Sequence, residues 1–455
     1  MKNVALGGLL LIALAMPAGA LICTIDDVPA ATLLLPYFEI DLASHDGVQT
    51  LFSINNASAT AVLAHVVVWS DLSVPVLDFN VYLTGYDVQT INLRDIIVFG
   101  NLPRTASAAQ DTGENEPDPA PTPTAISNQG AFSSDVTFPS CAGQLPPPPL
   151  PPSFITHLQR SLTGRSSDIL GGRCAGLLTN DNVARGYVTV DTVNNCTLRF
   201  PGDAGYFGVS GGTGGDITNQ NVLWGDYFID DSVQNFAQGE TLVHIEASPG
   251  PGVGPFNSYP APGDPQTTTP GQYTFYGRYD AWTAVDNREP LATTFAVRYA
   301  TGGAFSGGTS YLVWRDSKVN QGPFVCGTLP AWYPLGQEGL VFFDEQENPE
   351  VPTTIPVSPQ PPDVGLIPFP AEAQRTLVDS VDLPVAADFG WMYLDLNTTV
   401  AAAGANPPED PAAAQAWIEA VMDASGRFSV GFDAIRLDSA CVANHTVPST
   451  APPAD

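Results

Sequence analysis

The stretch 61-AVLAHVVVWSDLSVPVLDFNVYLT-84 decides how the chain must be read. In its second part Leu77, Phe79, Val81 and Leu83 alternate with Asp78, Asn80, Tyr82 and Thr84. A period of two places one set on a buried face of a β-strand and the other on its opposite face. The first part, Ala61 to Trp69, is apolar at both sets of positions, as in a central strand covered on both sides. Two such strands need sheet neighbours and a second layer to cover them. Candidates follow along the chain: "GYVTVD" (186–191), "TLVHIEA" (241–247), "TTFAVRYA" (293–300), "SYLVWRD" (310–316), "GLVFFDE" (339–345), "GWMYLDL" (390–396) and "RFSVGFDA" (427–434). Turn residues separate almost all of them. The fold expected is mainly β: two β-sandwich-type domains with one or two short helices and long proline-rich loops.

An internal echo supports a pair of sandwiches. The segments 50-TLFSINNASATAVLAHVVVWSDLS-73 and 293-TTFAVRYATGGAFSGGTSYLVWRDS-317 both open on Thr and an alternating strand. Both close on V-W-x-D, at Trp69 to Asp71 and at Trp314 to Asp316. Two segments read as helix. "SFITHLQRSLTG" offers Ser153 as N-cap, Ile155, Leu158 and Leu162 on one face, and Gly164 as a stop. "DPAAAQAWIEAVMDASG" offers Asp410 as cap, Pro411 at the first helical position and Gly426 past the end, with Trp417, Val421 and Ala424 on one face.

Composition sets the organisation. Met1-Lys2-Asn3, an apolar run to Met16 and Pro17-Ala18-Gly19-Ala20 have the form of a secretory signal over residues 1–20. A β-sandwich region over 21–105 follows, then an acidic proline-rich segment over 106–152. A central β-rich region with one short helix spans 153–348, a proline-rich loop 349–370, and C-terminal strands with a helix 371–448. The protein is expected to be secreted, periplasmic or extracellular, with no membrane span in the mature chain. Six cysteines, Cys23, Cys141, Cys174, Cys196, Cys326 and Cys441, then read as three disulfides. Cys174–Cys196 and Cys23–Cys441 are the preferred pairs.

Sixteen basic residues face forty-seven acidic ones, for a net charge of −31. A field of that sign repels nucleic acid and anionic membranes and favours calcium or cationic partners. Gly208-Val209-Ser210-Gly211-Gly212 spells the G-x-S-x-G of a hydrolase nucleophile elbow. That motif needs a helix after the serine, and "GGTGGDITNQN" supplies turn residues instead. The glycine runs lack the Lys of a phosphate loop, and no C-x-x-C-H is present for heme.

Carboxylates remain. "WGDYFIDDS" carries Asp226, Asp230 and Asp231, and "ETLVHIEA" carries His244 and Glu246 on one strand face. If they converged, these five could do general acid and base work on a polysaccharide. Asp226, Asp230 and Asp286 are candidate calcium ligands through hard oxygens. The competing reading makes them solvated strand faces, with Arg288 drawn into an ion pair with Asp286, Glu289 or a neighbour. Trp224, Tyr227, Tyr276, Trp282 and Trp332 are candidates for stacking on sugar rings. The sequence therefore favours a non-catalytic role in binding, adhesion or extracellular assembly, its partner a cell-surface component, a polysaccharide or another copy of itself. A carboxylate-dependent polysaccharide hydrolase and a calcium-stabilised carbohydrate-binding module are the alternatives.

Overall fold

The computed structural model describes residues 28–104, 138–208, 214–247, 274–279, 286, 288–350, 366–397 and 415–437. In its first half the elements are β1 (Thr32–Asp41), β2 (Gln49–Asn56), β3 (Val62–Ser70), β4 (Pro75–Leu83), β5 (Val88–Asn92), α1 (Leu93–Phe99), α2 (Pro152–Ser161), β6 (Val183–Val193), β7 (Leu223–Trp224), β8 (Asp226–Asp231), β9 (Phe236–Thr241) and β10 (Val243–Ile245). The second half holds β11 (Thr294–Ala300), β12 (Gly308–Arg315), β13 (Gly339–Asp344), β14 (Pro349–Glu350), β15 (Ala373–Leu377), β16 (Phe389–Asp395), β17 (Ala416–Asp423), β18 (Ser429–Asp433) and β19 (Ile435–Arg436). All pairings are antiparallel. Each half has an inner sheet (β10-β1-β6-β3-β4 and β15-β12-β17-β18) and an outer one (β5-β2-β8-β9 and β14-β13-β16-β11-β19). The chain is mainly β and builds β-sandwich-type layers, as its alternation predicted.

The echo has a topological counterpart. β2 lies between β5 and β8 as β11 lies between β16 and β19, and β3 lies between β4 and β6 as β12 lies between β15 and β17. Six strands thus repeat in the same chain order, with β13 and β14 inserted in the second copy. Trp69 and Trp314 sit near the ends of the equivalent strands β3 and β12. Their rings meet on either side of Tyr187, stacked with Trp69 at 5.7 Å and edge-on to Trp314 at 6.0 Å. Leu312, Trp314, Ala373 and Val421 of the second half belong to the same buried cluster as the core of the first. The two inner sheets therefore share one core, strengthened by aromatic pairs worth about 0.5–1.5 kcal/mol each beyond burial.

Scarce cations are buried in this assembly. Of the sixteen basic residues, Arg94, Arg278, Arg288, Arg315 and Lys318 are buried. Arg278 pairs with Glu372 at 2.5 Å and Asp316 at 3.2 Å in the second half, and donates to Ser73 and Tyr187 in the first. Arg288 lies 3.5 Å from both Asp191 and Asp286. Arg315 donates to the carbonyls of Leu335, Gly336, Phe369 and Leu396, tying three segments to β12. Glu419 joins the halves from the other side, accepting from Tyr227 Oη and Gln238 Nε2; burial and nearby Asp433 push its carboxyl up.

Several expectations are corrected. "AWIEAVMD" is β17, hydrogen-bonded to β12 on one side and β18 on the other. Cross-strand partners on both edges outweigh the helix propensity of its alanines. Asp410 and Pro411 lie outside the described residues. The earlier helix forms as α2, but its N-cap is Pro151 with Pro152 at the first position, so Ser153 lies inside the first turn. Among the described residues the disulfides are Cys141–Cys196 and Cys174–Cys326, with Cα separations of 5.0 Å. Cys174 cannot reach Cys196 because β6 runs between them, roughly 35 Å of extended chain. Instead, Cys174 bridges Phe324 backbone to backbone, which brings Cys326 into range. The Cys23–Cys441 pair lies outside the described residues. Among those residues no helix is long and apolar enough to cross a membrane.

Asp71, which ends the first V-W-x-D, connects the halves through its main chain. Its carbonyl accepts from Glu372 and Ala373, and its carboxylate accepts from Leu177 N–H at 3.0 Å. Burial pushes this carboxyl up to about 7. A raised acid contributes full stability below the unfolded value near 4, and the contribution falls as pH rises to the folded value. Asp71→Asn keeps the acceptor and removes the titration. The variant is expected to gain on the parent between pH 4 and 7 by up to about 4 kcal/mol in urea unfolding. Parallel stability curves over that interval would contradict the assignment.

Candidate functional site

The acidic stretch that drew attention in the sequence forms β7 and β8 at the exposed surface of the first outer sheet. Leu223, Gly225, Tyr227 and Ile229 point inward and are buried, while Trp224, Asp226, Phe228 and Asp230 point outward. Trp224 is 42% exposed and Phe228 52%. Neighbouring strands complete the face. Ser53 Oγ donates to Asp226 at 2.8 Å, and Gln49 Nε2 donates to Asp230 at 3.2 Å. Phe228 stands opposite Leu51 on β2 and Gly239 on β9. A Cβ at Gly239 would come within 2.7 Å of the Phe228 ring, so the missing side chain is what lets the ring lie against the sheet. The outcome is a flat, open face on which aromatic rings alternate with hydrogen-bonded carboxylates.

The other residues singled out in the sequence go elsewhere. Asp231 accepts the N–H groups of Val233 and Gln234 and shapes the β8–β9 turn. His244 belongs to the inner sheet, where its Nε2 accepts from Gly225 N–H at 3.4 Å. Glu246 is buried beyond the end of β10, and burial raises its carboxyl. Asp286 is buried with Arg288 and accepts from the N–H groups of Tyr276 and Arg288, which makes it part of an ion pair, as the competing reading had it. Asp226 and Asp230 share a face but stand four residues apart, about 13 Å along an extended strand. That spacing exceeds the separation of about 5–10 Å at which a hydrolase pair works. Among the described residues no three His, Cys, Asp or Glu side chains converge as a metal would need.

Of the aromatic candidates among the described residues, only Trp224 lies exposed. Tyr227 donates to Glu419, Tyr276 to Asp191 at 2.8 Å, and Trp332 to Gln321 at 3.0 Å; all three are buried. Trp282 and Ser210 lie outside the described residues. Phe228 was missed, although the alternation W-x-D-x-F-x-D across residues 224–230 would have placed it beside Trp224. Comparison with protein-family models, curated proteins and solved structures gave no match.

Side chains on an open face carry little of the fold. Trp224→Ala and Phe228→Ala are each expected to change unfolding free energy by about 0.5 kcal/mol or less. A loss above about 2 kcal/mol in either would mark that ring as core rather than contact surface.

Proposed function

We propose that the chain is a non-catalytic binding protein of the cell exterior that holds an uncharged polysaccharide on the open face of β5-β2-β8-β9. The observation that carries this reading is the outward row Trp224, Asp226, Phe228 and Asp230. Sugar rings present apolar C–H faces that suit aromatic rings, and equatorial hydroxyls that donate to carboxylates already oriented by Ser53 and Gln49. Fixed acids on the same face, within a chain of net charge −31, oppose anionic glycans. Two disulfides fit an oxidising compartment, and the signal-like N-terminus agrees with export. An outward row of exposed rings and oriented carboxylates on one sheet face suits retention of an extended ligand.

Affinity electrophoresis through gels containing neutral glucans, mannans or alginate tests this directly. The parent should be retarded by at least one neutral polysaccharide and not by alginate, without releasing reducing ends. Trp224→Ala and Phe228→Ala should each lose most of that retardation. Unretarded migration in every neutral gel, or retardation unchanged in both variants, would count against the reading.

A further inference from the structure

A cavity of about 520 Å³ opens between the two inner sheets. Its size falls in the range of about 300–1,000 Å³ typical of small-molecule sites, which concentrate where two domains meet. Strand alternation decides which side chains face it. Leu312 and Trp314 of β12 point into the core shared with the first half, so Ser310, on the same face of that strand, also points between the sheets. Leu377 and Arg375 of β15 stand beside Ser310 and Leu312 in the ladder, and Asp423 of β17 stands beside Gly308. Tyr37 and Glu39 of β1 and Arg185 of β6 line the wall across from them.

The ionic groups of that wall are spent on one another. Arg185 pairs with Asp181 at 2.6 Å and with Glu39 at 3.4 Å, and Arg375 reaches the second oxygen of Glu39 at 3.2 Å. Tyr37 Oη donates to Glu39 at 2.8 Å. Asp71 accepts the Leu177 N–H on both carboxylate oxygens. Balanced pairs of this kind orient their side chains without drawing in an ion of either sign.

Hydrogen-bonding capacity, by contrast, is left over. Ser310 is only 5% exposed, and among the described residues its Oγ has no hydrogen-bond partner. A buried hydroxyl is ordinarily satisfied, so this one is left to bond with whatever fills the cavity. Arg375 spends Nη1 on Glu39, which leaves its Nε and Nη2 as donors of fixed direction. The half-buried Asp423 carboxylate takes one N–H, from Gly426 at 3.4 Å, and keeps acceptor positions free. Leu377, between these polar groups, supplies an apolar surface.

We infer that this cavity is a second binding site, for a small uncharged sugar of one or two rings. Its hydroxyls bond to Ser310 Oγ, to the free N–H groups of Arg375 and to Asp423, and a C–H face of the ring rests on Leu377. Preset donors and acceptors backed by balanced ion pairs match a ligand that carries many hydroxyls and no charge. The site lies between the sandwiches and does not rest on the reading of the outer face.

Isothermal titration calorimetry of the full chain with glucose, galactose, mannose, cellobiose and maltose tests the assignment. One-to-one binding of at least one of these sugars is expected. Ser310→Ala should weaken it about two- to tenfold, the worth of one hydrogen bond. Leu377→Trp sets a larger ring on the cavity wall from a position 47% exposed and should abolish binding. Thermal melts show whether each variant is folded; if Leu377→Trp is not, Ser310→Ala carries the test alone. No binding by the parent overturns the inference, whatever the polysaccharide gels show, and so does binding unchanged in the folded cavity variants. Tighter binding of the matching uronate or amino sugar would overturn the ligand class. Sugar binding lost in Trp224→Ala but kept in Leu377→Trp would put the sugar on the outer face, overturning this inference and leaving that reading in place.

Discussion

Arg278 is the contact on which the arrangement of the two sandwiches depends. Its guanidinium is almost wholly withdrawn from water, pairs with Glu372 and Asp316 of the second half, donates to Ser73 and Tyr187 of the first, and lies over the Tyr279 ring at 4.7 Å. A charge buried to this degree costs several kcal/mol in desolvation and is tolerated only when its partners are all in place. Those partners come together only when the inner sheets pack face to face. The two V-W-x-D segments supply this setting: their tryptophans clasp Tyr187, and Asp316 itself is one of the partners.

Burying cations has a consequence at the surface. With Arg94, Arg278, Arg288, Arg315 and Lys318 inside, the described surface keeps fewer of the chain's scarce cations. On the outer face the rings of Trp224 and Phe228 alternate with Asp226 and Asp230, each carboxylate held by a side chain of β2.

Much of the fold was legible because alternation in a half-covered strand is a direct imprint of burial. β3, β4, β6, β11 and β12 appear where "AVLAHVVVW", "VLDFNVYLT", "GYVTVD", "TTFAVRYA" and "SYLVWRD" place them. β1 was not legible: Pro36 interrupts "TLLLPYFEID", and the ladder shifts register between Leu35 and Phe38 to pass it. β17 misled because a strand buried on both faces has no period to separate it from a helix. Disulfide partners were hidden for a different reason, since they depend on which loops the topology brings together. At the site, the sequence grouped Asp226 and Asp230, which share a strand face, with His244 and Glu246, which do not lie on it. β10 belongs to the other layer of the sandwich, so proximity in sequence gave no common face.

The central claim is that buried charge fixes two repeated sandwiches into one cooperative unit. Urea unfolding of the parent and of Arg278→Met, followed by tryptophan fluorescence and by far-ultraviolet circular dichroism, tests it most directly. Coincident transitions are expected for the parent, and for the variant a loss of about 3–5 kcal/mol because Glu372 and Asp316 are left buried without a counter-charge. A variant within about 1 kcal/mol of the parent, the range of an exposed ion pair, would contradict it.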